Sequence, residues 1–172
     1  MIAFNDMSKR SIATVRDQPV APVSTVSGPL HVHSESFVIT THERLELHDL
    51  TDRVMAMVRG LPVLEGTVNL FSTHTTCTVF VNEVQKALMS DMKKFLEHVV
   101  DSADAWLHND PNFSDCDRSN ADSHLRALLL GHSLTLQISG GEVVLGQWQR
   151  VLMAELDGPR TRTLRLQVMG VA

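Results

Sequence analysis

The chain has 172 residues, of which 43% are hydrophobic and 20% charged, a balance typical of one globular domain with a sizeable core. Its formal net charge of -5 argues against a nucleic-acid-binding protein, because that class is more often basic. The longest apolar run, residues 125–130, is too short to cross a bilayer. We therefore expect neither a nucleic-acid partner nor a membrane.

The cysteine content indicates the cellular compartment in which the protein works. The two cysteines, Cys77 and Cys116, lie outside any C-x-x-C pair and suggest no disulfide framework. The first ten residues also lack the apolar stretch of a secretory signal. Both features predict a cytoplasmic protein.

The N-terminal region differs in composition from the rest. Residues 1–30 contain three of the six prolines and show no sustained hydrophobic period. We interpret them as an extended, loosely ordered arm, with a short strand that packs on a neighbouring copy. Residues 31–172 form the predicted domain.

Strand and helix patterns alternate through the first half of this domain. Residues 37–42 alternate apolar and polar side chains, which predicts a strand. Apolar residues recur at helical spacing over 47–61 and again over 88–99. Between these two predicted helices, residues 67–74 and 76–81 have the composition of strands.

The second half begins with a polar loop over 102–119 and is otherwise mostly β. Ser119 or Asn120 can start a short helix that Gly131 ends. Gly140 and Gly141 predict a hairpin turn between two of the strands that follow. Strands that follow helices in this way indicate a single α+β domain, with a mostly antiparallel sheet and about three helices.

Three of the nine histidines stand out by position. His74 ends a predicted strand on its apolar face, His108 lies in the polar loop, and His124 faces inward on the short helix. Three imidazoles from three elements could converge on one cation, as in catalytic zinc sites. The alternative is three separate histidines, each hydrogen-bonded to nearby groups.

Acidic and basic residues supply further candidates. Asp91 is either a catalytic acid or an ordinary first-turn helix residue, and Asp157 is either a site residue or part of a turn. Arg160 and Arg162 are two residues apart, so in a strand they point the same way and could grip a phosphate or carboxylate. Alternatively they are surface ion-pair partners.

Taken together, these motifs carry a resemblance. The series is HTTCT at 74–78, NE at 82–83, W-x-H at 106–108, SNADSH at 119–124, LGQWQ at 145–149 and ELDGPRTR at 155–162. In this order it resembles the YjbQ-like family, also called the secondary thiamine-phosphate synthase family, from about residue 33 to the C-terminus.

The resemblance implies a compact α+β domain that assembles as a homotrimer and has a pocket containing histidines. It implies that a divalent metal ion, zinc first, is held by His74, His108 and His124. Other matching positions then line or brace the site. We assign catalysis to Glu83, Asp91 and Glu155, and binding of an anionic small-molecule substrate to Asn120, Asp157, Arg160 and Arg162.

The activity that the resemblance implies is a weak synthesis of thiamine phosphate, in which a thiazole phosphate nitrogen displaces pyrophosphate from an aminopyrimidine methyl diphosphate. Cations would have to stabilise the departing diphosphate. The sequence contains no aspartate-rich magnesium cluster and no phosphate loop. Two alternatives therefore stay open: a metal-assisted hydrolase, and a non-enzymatic trimer that binds a ligand or a metal.

Overall fold

Two antiparallel sheets face each other across the main core of the computed structural model, which describes residues 10–172. The first nine residues of the predicted arm lie outside the described residues. The strands are β1 (Leu30–Thr40), β2 (Glu46–Asp49), β3 (Glu65–Ser72), β4 (Cys77–Asn82), β5 (Ser133–Ser139), β6 (Glu142–Val143), β7 (Arg150–Glu155) and β8 (Thr161–Val171). The helices are α1 (Thr51–Arg59), α2 (Lys86–Val99) and α3 (Ala121–Leu130).

The sheets differ in size. The larger one has the order β1-β8-β3-β5-β6, and the smaller one has the order β2-β7-β4. Every pairing between adjacent strands is antiparallel. With the three helices, this arrangement confirms the predicted α+β domain.

The core lies between the sheets, because along β8 buried side chains alternate with more exposed ones, while β7 at the centre of the small sheet is buried throughout. On β8 the buried positions are Arg162, Leu164, Leu166, Val168 and Gly170, so the intervening residues point away from the core. α1 closes the core with Val54 and Val58, which are 1% and 0% exposed. A second, smaller cluster packs α2 and α3 on the other face of the small sheet, through Leu47, Leu96, Ala127, Ala154 and Leu156.

The predicted first helix begins later than its apolar spacing indicates. Leu47 lies in the short strand β2, which pairs with β7, and the helix starts only at Thr51. Asp49 then accepts hydrogen bonds from the main-chain N–H and the hydroxyl of Thr51 and so stabilises the helix start. Gly60 follows the last helical residue.

α2 matches its predicted helix but not its predicted apolar face. Leu96 is buried, whereas Phe95 and Val99 are 61% and 48% exposed. Gly131 ends α3, and the hairpin at Gly140 and Gly141 forms with positive φ at both glycines, as the sequence predicts.

Residues 10–29 contain no helix or strand but are held to the chain's own domain. Ile12 and Thr14 donate main-chain hydrogen bonds to Val84 and Gln147, at 2.9 and 2.7 Å. The Glu142 carboxylate accepts from the main-chain N–H groups of residues 17 and 18. The arm thus contacts its own chain, and its packing on a neighbour stays a prediction.

Gly66 and Gly170 lie opposite each other in the β3–β8 pairing. A Cβ at Gly170 would lie 2.3 Å from the Glu65 carbonyl oxygen and 2.9 Å from Gly66 Cα. A side chain at this point would therefore force the two central strands apart.

Candidate functional site

The connection from β7 to β8 carries the chain from the small sheet to the large one and forms the centre of the site. It is held on both sides, because Leu156 N–H donates to the Thr76 carbonyl and Gly158 N–H to the Arg44 carbonyl. A Cβ at Gly158 would lie 2.1 Å from the Glu43 carbonyl oxygen, so only glycine fits. The segment is wedged between the β3–β4 turn and the β1–β2 loop.

Asp157 lies at the centre of a cluster of hydrogen bonds at this connection, which we call the Asp157 hub. Its carboxylate is 1% exposed and accepts hydrogen bonds from Arg118, Asn120 and Arg160 at 2.8, 2.9 and 3.2 Å. Arg44 lies 3.8 Å away. Burial by itself would raise the pKa of Asp157, but these donors outweigh it and hold the pKa below its ordinary value. The carboxylate is therefore ionised at neutral pH.

Asp122, the second residue of α3, extends the charged cluster. Its carboxylate contacts Arg44 at 3.1 Å and Arg126 at 2.7 Å. Four arginines thus surround the two buried carboxylates of Asp122 and Asp157. The four guanidinium charges outnumber the two carboxylate charges, which leaves a local excess of positive charge.

Three of these arginines remain open to a ligand. The side chains of Arg44, Arg118 and Arg160 are 46%, 38% and 37% exposed. The Nε atom of Arg160 is buried without a hydrogen-bond partner in the described part of the chain. Guanidinium groups with spare donors beside a net positive charge suit phosphate or carboxylate oxygens.

Arg162 and Glu155 have a different environment from the one predicted. Both are buried, and the Arg162 guanidinium donates to the Glu155 carboxylate and to the Thr76 hydroxyl. Glu155 also accepts from the Thr41 hydroxyl and the Asp157 N–H. The pair is enclosed and joins the two sheets below the Asp157 hub, so neither side chain is presented to a ligand.

His108 and His124 lie together, as the sequence predicts. Their ring centroids are 5.1 Å apart and the rings meet edge to face at 83°. They line an open pocket of about 300 Å³ whose other walls are mostly apolar: Trp106, Leu107, Ala121 and Leu125. Burial lowers the pKa of His124, and His108 lowers it further, against opposing effects of Asp157 and Asp122.

His74 lies apart from these two histidines, in the turn between β3 and β4. Its Nε2 accepts a hydrogen bond from the Thr163 main-chain N–H at 2.8 Å. Burial lowers the pKa of His74, and Arg162 lowers it further. A neutral imidazole has one acceptor nitrogen, and here that nitrogen is already occupied.

This arrangement differs from the predicted three-histidine metal site. Within residues 10–172 of one chain, no three His, Cys, Asp or Glu side chains are placed to hold a metal ion. His108 and His124 could supply two ligands. His74 cannot join them while its acceptor nitrogen is bonded to Thr163.

The other two predicted acids lie away from the hub. Glu83 follows the far end of β4, six residues beyond Cys77, or roughly 20 Å in an extended chain. There it accepts a hydrogen bond from the Ser11 hydroxyl. Asp91 is exposed on the second turn of α2.

Arg44, Arg118 and Asp122 were not predicted as site residues. Asp122 stands inside the SNADSH motif, which was a usable signal. Arg44 and Arg118 stand in loops with no distinguishing spacing, and only the tertiary fold brings them to Asp157.

Of the two cysteines, Cys116 donates to the Asn120 side chain, while burial raises the pKa of Cys77 to about 11 and leaves an unreactive thiol.

A scan for membrane spans found, over residues 10–172, no helix with the length and apolar character needed to cross a bilayer.

Comparison with known proteins places these features in a family. Residues 35–171 match the family model described as "UPF0047 protein YjbQ-like". A UPF0047 protein of Methanothermobacter thermautotrophicus is 38% identical over 141 residues, which cover 82% of this chain and 94% of the relative.

Solved structures agree in fold. A YbjQ-like protein of unknown function from Sulfolobus solfataricus aligns with a TM-score of 0.77 and 29% identity, over 83% of this chain and 99% of the other. A hypothetical protein from Aeropyrum pernix aligns with a TM-score of 0.73 and 34% identity, over 80% and 98% of the two chains.

Proposed function

The chain belongs to the UPF0047 YjbQ-like family, and from that premise we propose that it is an enzyme acting on a small phosphorylated substrate at the Asp157 hub. The observation that carries the proposal is the convergence of Arg44, Arg118 and Arg160 on one buried carboxylate. Each of the three arginine side chains keeps an exposed fraction above one third.

In this proposal the arginines bind the phosphate oxygens and Asp157 fixes the arginines. A buried, ionised carboxylate holds the guanidinium groups in place before the ligand arrives, which lowers the ordering cost of binding. Arg160 contributes through the part of its side chain that stays accessible, 37% of its surface. Asn120 also donates to Asp157 and thereby supports the same arrangement.

His124 is the candidate proton acceptor for the hydrolase alternative, in which an attacking water must lose a proton; the thiazole nitrogen of the synthase reaction carries no proton to lose. Its lowered pKa keeps the ring neutral at pH 7, which a general base requires. His108 packs edge to face against it and fixes the ring orientation. Glu83 and Asp91 remain predicted catalytic carboxylates. Because they lie away from Asp157 within one chain, a neighbouring copy would have to bring them to the site.

The reaction that the family resemblance suggests is thiamine-phosphate synthesis, as a weak activity. The thiazole nitrogen forms a bond to the methylene carbon of the aminopyrimidine, and the carbon–oxygen bond to pyrophosphate breaks with its electron pair on the leaving oxygen. The three arginines would stabilise that developing charge.

A divalent metal ion, with zinc as the first choice, stays part of the proposal, but only as a statement about which residues would bind it. His108 and His124 fit two positions, but one chain offers no third ligand within residues 10–172. Such a site would need a donor from a second copy of the proposed homotrimer. We derive no catalytic step from it.

Calorimetric titration with pyrophosphate tests the anion site directly. We expect saturable binding to the wild-type protein and about a tenfold loss of affinity in Arg160→Gln and in Arg118→Gln, the effect of one charge-assisted hydrogen bond. Lys94→Gln, an exposed cation on α2, is the matched control and should bind as the wild type does. Absence of pyrophosphate binding to the wild type would refute the anion site.

Turnover is measured separately, with the aminopyrimidine diphosphate and the thiazole phosphate, with and without chelator. A thiamine phosphate product that forms in the wild type and is lost in Arg160→Gln supports the enzyme. Binding without any product would favour the ligand-binding alternative. Hydrolysis of other phosphate esters, sensitive to chelator, would favour the hydrolase.

A further inference from the structure

Residues 11–18, which we call the strap, cross one end of the sandwich from the small sheet to the large one. At the small sheet, the Ser11 hydroxyl donates to the Glu83 carboxylate just beyond β4. At the large sheet, the Arg16 guanidinium donates to the Val143 carbonyl in β6 at 2.5 Å. β4 and β6 are edge strands of their sheets, so the strap joins an edge of one sheet to an edge of the other.

Alternate residues of the strap contact the domain, as in an extended peptide that is bound through its main chain. The main-chain N–H groups of Ile12 and Thr14 donate to carbonyls of the domain at 2.9 and 2.7 Å. Thr14 is 9% exposed, and its hydroxyl also donates to the Gln149 carbonyl at 2.7 Å. Val15, between Thr14 and Arg16, is 72% exposed. The domain therefore binds every second residue of the strap.

Arg16 fixes the second half of the strap to the hairpin that joins β5 to β6. Its guanidinium also donates to the Ser139 carbonyl at 2.8 Å. In the same hairpin, Glu142 is 4% exposed, and its carboxylate accepts from the N–H groups of the two residues that follow Arg16, at 3.1 and 2.8 Å. The hairpin thus supplies acceptors for one guanidinium and for two consecutive main-chain N–H groups, which excludes proline at either position after the arginine.

The strap is an addition to the shared domain and is held mainly by polar contacts. The family model begins only at residue 35. Ile12 and Val15 are 48% and 72% exposed, so binding of the strap removes little apolar surface from water. Residues 19–29 contain no helix or strand and link the strap to β1. Eleven residues reach roughly 35 Å when extended, which is enough for the strap to leave its place while the domain stays folded.

We propose that this end of the sandwich is a binding groove for an extended peptide, and that the strap is its tethered, displaceable occupant. The peptide that fits has threonine and arginine two residues apart, followed by two residues with main-chain N–H groups. The groove includes two motifs of the family series, NE at 82–83 and LGQWQ at 145–149, which lie outside the contacts described for the Asp157 hub. The proposal concerns a protein partner and does not depend on the reaction suggested above.

The tether sets a condition on that partner. A segment on a short flexible linker has an effective concentration on the order of millimolar at its own site. A partner that displaces the strap must therefore add contacts outside the groove. Its binding would also release Ser11 from Glu83 and leave that carboxylate open to other ligands.

Hydrogen exchange of the full chain tests whether the strap is bound. The main-chain N–H groups of Ile12, Thr14 and the two residues after Arg16 should exchange slowly in the wild type. They should exchange at least about tenfold faster in the double variant Thr14→Ala with Arg16→Ala, while the N–H groups of β7 keep their rates. Val15→Ala changes the exposed neighbour and is the matched control, with the rates of the wild type. Equal rates in wild type and double variant would refute the bound strap.

A fluorescently labelled peptide with the sequence of residues 10–20 tests the groove. In anisotropy titrations it should bind saturably to the double variant, whose own strap is released. It should bind at least about tenfold more weakly to the wild type, where the strap occupies the groove. A peptide with Thr14→Ala and Arg16→Ala should not bind, whereas a peptide with Val15→Ala should bind as the original sequence does.

Each other outcome contradicts the proposal. It fails if the labelled peptide does not bind the folded double variant, or if the peptide binds wild type and double variant equally. Circular dichroism and thermal melting report whether the double variant is folded. If it is unfolded, the strap is an integral part of the domain and not a displaceable occupant, and the proposal fails as well.

Discussion

Arg162 donates to the Glu155 carboxylate in the interior of the protein, where the two side chains are 4% and 0% exposed. Glu155 is the last residue of β7 and Arg162 lies at the start of β8, so the ion pair connects the two sheets. The sequence analysis assigned catalysis to Glu155 and substrate binding to Arg162. In the structure the two residues instead form a buried ion pair next to Asp157.

This pair should show strong energetic coupling. We expect Glu155→Gln and Arg162→Met each to lower the free energy of unfolding by about 3–5 kcal/mol, because each leaves a buried partner uncompensated. The double variant should lose less than the sum by at least about 1.5 kcal/mol. Urea unfolding of the four proteins at pH 7 measures the cycle, and additive losses would show that the pair is not coupled.

Removal of the Asp157 charge should destabilise the protein in a pH-dependent way. Asp157→Asn should lower the free energy of unfolding by about 2–3 kcal/mol at pH 7, since its three donors lose a charged acceptor. The pKa of Asp157 is depressed in the folded state, so its contribution is complete above the unfolded pKa and is lost as the pH falls through the folded pKa.

The difference between wild type and Asp157→Asn should therefore be constant above about pH 5 and shrink in more acidic solution. Denaturant unfolding at a series of pH values measures it. Asp117→Asn, an exposed acid in the loop before α3, should change the stability by less than about 0.5 kcal/mol. Equal losses in the two variants would contradict the role of Asp157.

The tautomer of His74 follows from its hydrogen bond. Because Thr163 N–H donates to Nε2, the ring proton must sit on Nδ1 at neutral pH. Nitrogen NMR of labelled protein should report Nε2 as the unprotonated nitrogen, and His74 should titrate below the ordinary imidazole pKa of about 6.5. A proton on Nε2 at pH 7 would rule out the bond and make His74 available as a metal ligand again.

The close approach of β3 and β8 predicts a steric effect. Gly170→Ala should cost about 1–3 kcal/mol of unfolding free energy, because the new methyl group would overlap the Glu65 carbonyl oxygen. Gly60→Ala is the contrasting case, since nothing lies within 3.4 Å of its Cβ position. It should be neutral or stabilising by up to about 1 kcal/mol, and thermal melting of both variants gives the comparison.

Local patterns predicted much of the fold. The hairpin at Gly140 and Gly141, the end of α3 at Gly131 and the alternation along β8 depend on near neighbours in sequence, and all three are present. β2 was missed because Leu47 and Leu50 also fit a helical period. Four residues are too few for periodicity to separate a strand from a helix.

The site was harder to predict, because its chemistry depends on contacts between distant segments. Three convergent histidines were predicted, and only His108 and His124 lie together. The hydrogen bond from Thr163 to His74 joins residues 89 apart, and sequence spacing does not reveal such a contact. Strand alternation placed Arg160 and Arg162 on one side, but it could not tell that Arg162 meets a buried carboxylate. Arg44 and Arg118, and not the predicted Arg162, lie with Arg160 around Asp157.

The passage of the chain between the sheets at Gly158 has a mechanical consequence. Arg160 and Asp157 travel with the β7–β8 connection, whereas His124 and Arg118 belong to the layer of helices and loops on the far side of the small sheet. The two groups are joined by the donors to Asp157 and by the hydrogen bond from the Ser123 hydroxyl to the Leu156 carbonyl. A slide of the helical layer along the small sheet would therefore have to break these hydrogen bonds, so the same contacts that hold Asp157 also keep the histidines and the arginines at a fixed separation.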